Sequence, residues 1–460
     1  MSSRNIALIV LAVAVVAVAA GLFIFASRHP AGIGGTSGVT GYRGNSSGTA
    51  AAPGGQADNP AVPAQYQSLY NGFEGDITSD MNQIDASWDG SSYPVNYGTV
   101  LISANDNSGN TNINAVDQEL AGDQLLGVKA VMVSVGFPLF DSNYYTFSGR
   151  PTGAEQQYVD FYTAVAQAVH GRGMKLIVEA NPMLTGGAIS SGKGGNVGPY
   201  YKSLTYAEYV SRRSADNVAI AQDMKPDYFI LQSEPSTDSS QAQNPAIASE
   251  INNPADDAQM VSQFVTDLEN ANIPGLHRSI KLGAGMGTWQ SNWQQYLADF
   301  DNIGGLDSID CHIYSLAPDL NEVGVAMQIA DAAHAAGKGA SMAEFWLNKF
   351  ITDRVPTNDL RAVNNFSFWA PLDGQFTLMM MDLANYEKMD YISSFAGLGG
   401  LTWAYMDYQS APCALTAGDV ACGDEIISAE MRLANEALAN HQLSPYGAAY
   451  KGYIANLPAK

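Results

Sequence analysis

The feature that most constrains this chain is an alternation, repeated from Gln65 onward, of short β-branched or apolar runs with longer amphipathic stretches. Eight runs read as strands: 97–103 (YGTVLIS), 128–135 (VKAVMVSV), 174–180 (MKLIVEA), 227–233 (DYFILQS), 279–285 (SIKLGAG), 306–313 (LDSIDCHI), 339–345 (GASMAEF) and 399–405 (GGLTWAY). Between the second and third, Tyr158, Phe161, Tyr162, Val165 and Val169 recur at i, i+3, i+4, i+7 and i+11, which is one face of a helix. Comparable stripes occupy 112–126, 206–223, 255–271, 290–300, 321–336, 374–396 and 424–440. Several end on a glycine turn, as in His170-Gly-Arg-Gly-Met and Ala336-Gly-Lys-Gly-Ala, the expected stop of a helix before the next strand. Alternating βα units build a parallel sheet, and eight of them close most economically as an α/β protein of the (β/α)8 TIM-barrel class. An open doubly wound sheet finds no support, because no GxGxxG follows the first strand and no Walker-type loop is present.

Two segments precede the barrel, which is expected over residues 66–460. Ile6 to Ala26 is an uncharged apolar run flanked by Arg4 and Arg28. At about 20 residues it is long enough to cross a bilayer as one transmembrane helix. It is also longer than the roughly 7–15-residue core of a cleavable signal peptide, so an uncleaved signal anchor over residues 1–30 is expected; the small residues around Ala19 and Ala20 leave secretion by cleavage open. Residues 31–65 are rich in Gly, Ser, Ala, Thr and Pro with almost no large apolar side chain, the composition of a flexible linker. A cell-surface or extracellular location follows, with the membrane contacted only through the N-terminal helix.

The formal net charge is -23, yet only 15% of residues are charged, so the imbalance comes from scarce Lys and Arg. No basic stripe is available for phosphates, which excludes nucleic acid as a partner. Protonated carboxylates would leave such a surface weakly charged in acid, and an acidic external medium is expected. Of the three cysteines, Cys413 and Cys422 flank a short polar loop that could close as a disulfide in an oxidising compartment, whereas Cys311 lies in an apolar run and reads as a buried thiol. No cofactor-binding or Cys/His zinc spacing is present, and no cofactor or metal is expected.

In a (β/α)8 barrel the chemistry sits at the C-terminal ends of the strands. Those ends carry Glu179 and Asn181 (third), Gln232, Ser233 and Glu234 (fourth), Trp289 beyond the fifth, His312 and Tyr314 (sixth), Glu344 and Trp346 (seventh), and Trp403, Tyr405 and Asp407 (eighth). Carboxylates suit acid/base work and hydroxyl binding, and aromatic faces stack on the C–H faces of pyranose rings, so the set points to a carbohydrate. Each residue has a plainer reading. A strand-end Glu can cap a helix or pair with a cation, His312 can be a satisfied structural histidine, Glu179 can line the mouth without reacting, and Trp289, Trp346 and Trp403 can be packing.

At these positions the chain resembles glycoside hydrolase clan A, the retaining (β/α)8 glycosidases. Ser233-Glu234-Pro235 is similar to the clan's Asn-Glu-Pro at the end of the fourth strand, and Glu344 sits where its second glutamate ends the seventh; His312-Ile313-Tyr314 and Trp403 resemble elements of the sixth and eighth. The resemblance implies a retaining hydrolase of β-linked polysaccharide or oligosaccharide, with Glu234 as acid/base and Glu344 as nucleophile. Substrate contacts would come from Glu179, Asn181, Ser233, Trp289, His312, Tyr314, Trp346 and Trp403. It further implies a protonated Glu234 beside an ionised Glu344 at rest, with the Glu344 charge raising the Glu234 pKa and Tyr314 hydrogen-bonding Glu344. Two departures stand out: Ser233 replaces the clan's Asn, and no Arg ends the second strand (Ser134-Val-Gly-Phe-Pro). They keep open a carbohydrate-binding barrel that does not cut. A metal-dependent barrel enzyme is the other rival, with Glu179, Glu234, His312 and Glu344 converging on a divalent ion such as Mg or Mn. Loops 181–205, 235–253 and 347–371 would set sugar and linkage.

Overall fold

A computed structural model describes residues 67–106, 111–185, 197–314, 321–347, 365–394 and 445–456, together with Ala64, Asn440, Gln442 and Leu443. Eight parallel strands close into a barrel in sequence order, with the first paired to both the second and the eighth. They are β1 (Asn96–Val100), β2 (Ala130–Ser134), β3 (Lys175–Glu179), β4 (Tyr228–Ile230), β5 (Lys281–Gly287), β6 (Ser308–Ile313), β7 (Gly339–Phe345) and β8 (Tyr391–Ser394).

The first seven fall on the expected runs. The eighth does not: Tyr391–Ser394 pairs with both β7 and β1, upstream of the expected 399–405. Those four residues fall inside what reads from sequence as the tail of a helix. That helix instead spans Asn365–Tyr386, and Lys388, at φ 51°, helps turn the chain into the strand. Residues 399–405, and Trp403 with them, lie outside the described residues, as do Cys413, Cys422, the linker apart from Ala64, and the Ile6–Ala26 segment. Among the described residues no helix is long and apolar enough to cross a membrane.

The helices in chain order are α1 (Gln67–Ser87), α2 (Ile113–Leu126), α3 (Ser142–Phe147), α4 (Gln156–His170), α5 (Val197–Ser203), α6 (Tyr206–Met224), α7 (Pro235–Gln241), α8 (Pro245–Ile251), α9 (Pro254–Asn270), α10 (Trp293–Asp301), α11 (Glu322–Ala335), α12 (Asn365–Tyr386) and α13 (Pro445–Asn456). The stripe Tyr158, Phe161, Tyr162, Val165 and Val169 is buried as its spacing requires. A capping box formed by Thr205 and Glu208 starts α6, and Asn253 ahead of Pro254 caps α9. The 235–253 segment, expected as a polar loop, is mostly α7 and α8; each begins with a proline at its first turn, where the missing N–H costs nothing.

Val100, Met132, Ile177, Ile230 and Tyr391 fill the barrel interior, a core separate from the larger one between sheet and helices. Cys311 is 1% exposed and unpaired in that larger core, as its apolar context implied. The two cores hold the strands from both sides, so the side chains at their C-terminal ends start from a rigid base.

Candidate active site at the barrel mouth

The register places Gly287, His312 and Glu344 side by side on β5, β6 and β7. Between β6 and β7 it shifts: Asp310 pairs with Ser341, yet His312 pairs with Glu344. Residues 341 and 344 are three apart and would face opposite sides of a regular strand. The extra residue in β7 is a bulge that lets both work on the barrel side. Asp310 secures it, because its Oδ1 accepts the Ala343 N–H at 2.9 Å and the Ser341 hydroxyl at 2.8 Å.

Glu234 stands at the turn from β4 into α7. It occupies the N-cap position, but its side chain makes no capping hydrogen bond. The carboxylate turns instead to His312, whose Nδ1 lies 2.7 Å from Glu234 Oε1. This disposes of the helix-cap reading of Glu234. The other ring nitrogen, Nε2, lies 2.9 Å from Glu179 Oε1 and 3.2 Å from Asp310 Oδ2. His312 is thus an imidazole held among three carboxylates and buried to 1% exposure.

Tyr314 closes the circuit. Its hydroxyl donates to Glu344 Oε2 in a short contact and lies 3.1 Å from His312 Nδ1. One carboxylate oxygen of Glu234, one of Glu344 and a ring nitrogen of His312 all lie within 4.8 Å of one another. The two glutamates singled out from sequence therefore converge at one mouth.

The protonation order expected from sequence is reversed. Burial pushes the Glu234 carboxyl up, but the hydrogen bond and charge of His312, with hydrogen bonds from Thr237 and Tyr314, outweigh it and hold the group below the usual carboxylate value. Burial raises Glu344 well above that value, and the charges of Glu179 and Glu234 add to the rise; His312 and Tyr314 only moderate it. His312 is held well above the ordinary imidazole range, since Glu179, Asp310 and Glu234 overcome the cost of burying its charge. Glu179 is raised by burial against the opposing pull of His312. The imidazolium sits on Glu234 rather than midway between the pair, and this placement inverts the order.

The remaining candidates take varied positions. Asn181 donates to Ser233 Oγ and, at 3.4 Å, to Glu179 Oε2, while its carbonyl oxygen accepts the Ser233 N–H at 3.1 Å. Both residues tie the ends of β3 and β4 together and leave little of the amide for a ligand. Trp289 stacks on Tyr314 with ring centroids 4.7 Å apart and planes 23° apart, and is half-buried. Trp346 meets the Tyr314 ring edge-on at 5.9 Å, and at 7% exposure belongs to the barrel interior.

Two residues escaped the sequence reading. Asp310 lies two positions before His312, and period-two alternation puts it on the same face; that was a usable signal. Arg213, on α6 and fully buried, lies beneath the ends of β3 and β4. Its place four residues after Tyr209 and seven before Ile220 puts it on the buried face of that helix, which was a usable signal.

Among the described residues two sets could hold a divalent ion: Glu179, Asp310 and His312, and Glu234, His312 and Glu344. Both need a His312 nitrogen that a carboxylate already occupies as a hydrogen-bond partner.

No family model and no curated protein matches this chain. Among solved structures it is similar to a modular endo-beta-1,4-mannanase from Cellulomonas fimi, at 12% identity and a TM-score of 0.41 over 77% of this chain and 74% of that one. It is similar also to an endo-beta-1,4-glucanase from Xanthomonas axonopodis pv. citri, at 12% identity and a TM-score of 0.41 over 74% and 98% of the two chains. A third is the beta-mannanase of Alicyclobacillus acidocaldarius, at 10% identity and a TM-score of 0.38 over 75% and 99%. Likenesses this distant carry no argument for substrate or mechanism.

Proposed function

We propose that this protein is a retaining glycoside hydrolase acting on β-linked polysaccharide or oligosaccharide, with Glu234 as acid/base and Glu344 as nucleophile. The observation that carries the reading is the approach of one Glu234 and one Glu344 carboxylate oxygen to within 4.8 Å at the C-terminal mouth of the barrel. Retaining enzymes hold their two carboxyl groups about 5–5.5 Å apart, whereas inverting ones leave about 6.5–9.5 Å for a water.

Glu344 attacks the anomeric carbon from one face while Glu234 delivers a proton to the departing oxygen. Glu234 then takes a proton from water, which releases the sugar from Glu344. The reversed resting order need not block this. Tyr314 interacts with both carboxylates, so as Glu344 gives its proton to the phenol oxygen the phenol passes its own proton to Glu234 and is left donating to the ionised Glu344. Positive charge developing at the anomeric carbon favours the ionised Glu344 that this transfer leaves. Asp310 and Glu179 hold His312 from the opposite side, so the imidazole keeps its place as the proton moves.

The substrate would be bounded by the half-buried Trp289 and by polar groups near Glu179 and His312. Trp403 and the loops within 181–205 and 347–371 would complete the subsites. We place the reaction outside the cell, with Ile6–Ala26 as the anchor and residues 31–65 as the tether. The test is hydrolysis of a panel of β-linked polysaccharides and aryl β-glycosides by the 65–460 fragment. Turnover that Glu234→Gln and Glu344→Gln both abolish supports the reading. A folded fragment that binds polymer without cutting it, unaffected by Glu344→Gln, would make it a binding barrel.

A further inference from the structure

We infer that Arg213 is the positioning residue for the acid/base carboxylate, one guanidinium that fixes the ends of β3 and β4 and so the direction in which Glu234 points. This rests on the glycosidase reading of Glu234. Arg213 is fully buried, with no solvent-facing atom to explain its charge. Its Nη2 donates to the carbonyls of Ala180 at 3.2 Å and Leu231 at 2.9 Å, and to Gln232 Oε1 at 2.6 Å. Ala180 directly follows Glu179, and Leu231 and Gln232 are three and two residues ahead of Glu234. The same nitrogen lies 3.8 Å from Asp238 Oδ2, one helical turn beyond Glu234 in α7. Nη1 faces the Tyr209 hydroxyl at 3.3 Å, and the cation lies over the Phe264 ring at 5.3 Å.

The cation therefore holds the chain ahead of Glu234 through hydrogen bonds and lies beside the Asp238 carboxyl after it. Backbone bonds to β5 continue through Leu231, whose N–H donates to the Gly283 carbonyl at 2.8 Å, and Gln232, whose carbonyl accepts the Gly285 N–H at 2.7 Å, so whatever fixes these two residues sets where Ser233 and Glu234 emerge. Gln232 is further tethered to Asp257 at 3.4 Å. Burying a guanidinium costs several kcal/mol before its partners repay it, and a well-packed apolar group often serves stability as well. What an apolar group cannot do is donate to acceptors on two strand ends at once, as Nη2 does by sharing its two N–H groups among three oxygens. Lysine would keep the charge, but its ammonium ends one bond short of Nη2 and leaves no second nitrogen for Tyr209.

The test uses the 65–460 fragment and two aryl β-glycosides of the sugar it hydrolyses, one with a 2,4-dinitrophenyl leaving group and one with phenyl. Phenyl departure needs the acid; dinitrophenyl departure does not. Arg213→Lys is expected to lower kcat/KM for the phenyl glycoside by about 10- to 100-fold, the loss that roughly 1 Å of misplacement produces. The dinitrophenyl substrate should change by less than about 3-fold, the asymmetry of a displaced general acid. Gln232→Met, which removes one acceptor and keeps the charge buried, should show the same asymmetry more weakly and covers the case of an Arg213→Lys chain that does not fold. Equal losses on both substrates, or none, from a variant with the wild-type melting temperature overturn the inference while wild-type turnover keeps the glycosidase reading. If wild type cuts neither substrate nor any of the panel, or Glu234→Gln is fully active, the reading of Glu234 fails and the inference falls with it.

Discussion

Replacing Tyr314 with Phe removes one oxygen from the centre of the site and leaves the ring. The ring should stay put, because it is stacked on Trp289 at 4.7 Å and braced edge-on by Trp346 at 5.9 Å. The lost group is the donor to Glu344. A hydrogen bond to a charged group contributes about 1.5–3 kcal/mol, and each 1.36 kcal/mol is tenfold in rate. In the resting site Glu344 is biased toward its neutral form, so much of that contribution appears only when the carboxylate ionises for attack. The expected result is a fall in kcat/KM of about 10- to 150-fold with KM nearly unchanged. A second signature follows from the same bond. The Tyr314 donor lowers the Glu344 pKa. Without it the group needs a still higher pH to ionise, so the acid limb of kcat/KM should move upward in Tyr314→Phe. The assay is steady-state hydrolysis of an activated aryl β-glycoside from pH 3 to 8. A variant within twofold of wild type with an unmoved acid limb would refute the reasoning, as would a loss carried entirely by KM.

The other predictions concern the glutamates, metal and pH. Glu234→Gln should lose about 10²–10⁴-fold on poor leaving groups and recover turnover of activated ones with azide, a small anion that needs no general base; Glu344→Gln should lose both, and azide rescue of Glu344→Gln alone would reverse the roles. Chelation followed by dialysis should leave wild-type activity intact, and restoration by Mg or Mn after a loss would favour the metal reading. Thermal stability should fall as pH rises from about 4 to 8. Burial raises the Asp238 and Glu387 carboxyls to about 8, so between the unfolded value near 4 and that figure the folded chain binds more protons than the unfolded one, and raising pH favours unfolding. The elevated His312 acts in the same direction. A melting temperature that is flat or rising over that interval contradicts this assignment.

What could be read in the sequence, and what could not, has a physical pattern. Seven strands were legible because each is an apolar run bounded by helix stripes and turn glycines. The eighth was not, because Tyr391-Ile-Ser-Ser is only four residues long and follows a helix without a glycine stop, whereas 399–405 has more of the composition of a strand. Glu234 stood out through Pro235, and Glu344 through its place at the end of an apolar run. Their protonation order was not legible, because it depends on which carboxylate the imidazole touches, and only barrel closure brings residue 312 against residue 234. Arg213 falls on the buried face of α6 by its spacing from Tyr209 and Ile220, but its partners at two strand ends come only from the packing of that helix over them. Ser233, a departure from the resemblance, is occupied by the Asn181 side chain, a contact 52 positions away in sequence.

The most direct test of the central claim is to trap the intermediate. The 65–460 fragment is incubated with a 2-deoxy-2-fluoro β-glycoside of its own substrate sugar bearing an activated leaving group, digested, and its labelled peptide mapped by mass spectrometry. The account predicts one stoichiometric label on Glu344, slow return of activity as the label is hydrolysed, and no label on Glu344→Gln. A label on Glu234 or Glu179, or turnover of the natural substrate that gives the inverted anomer first, would contradict it.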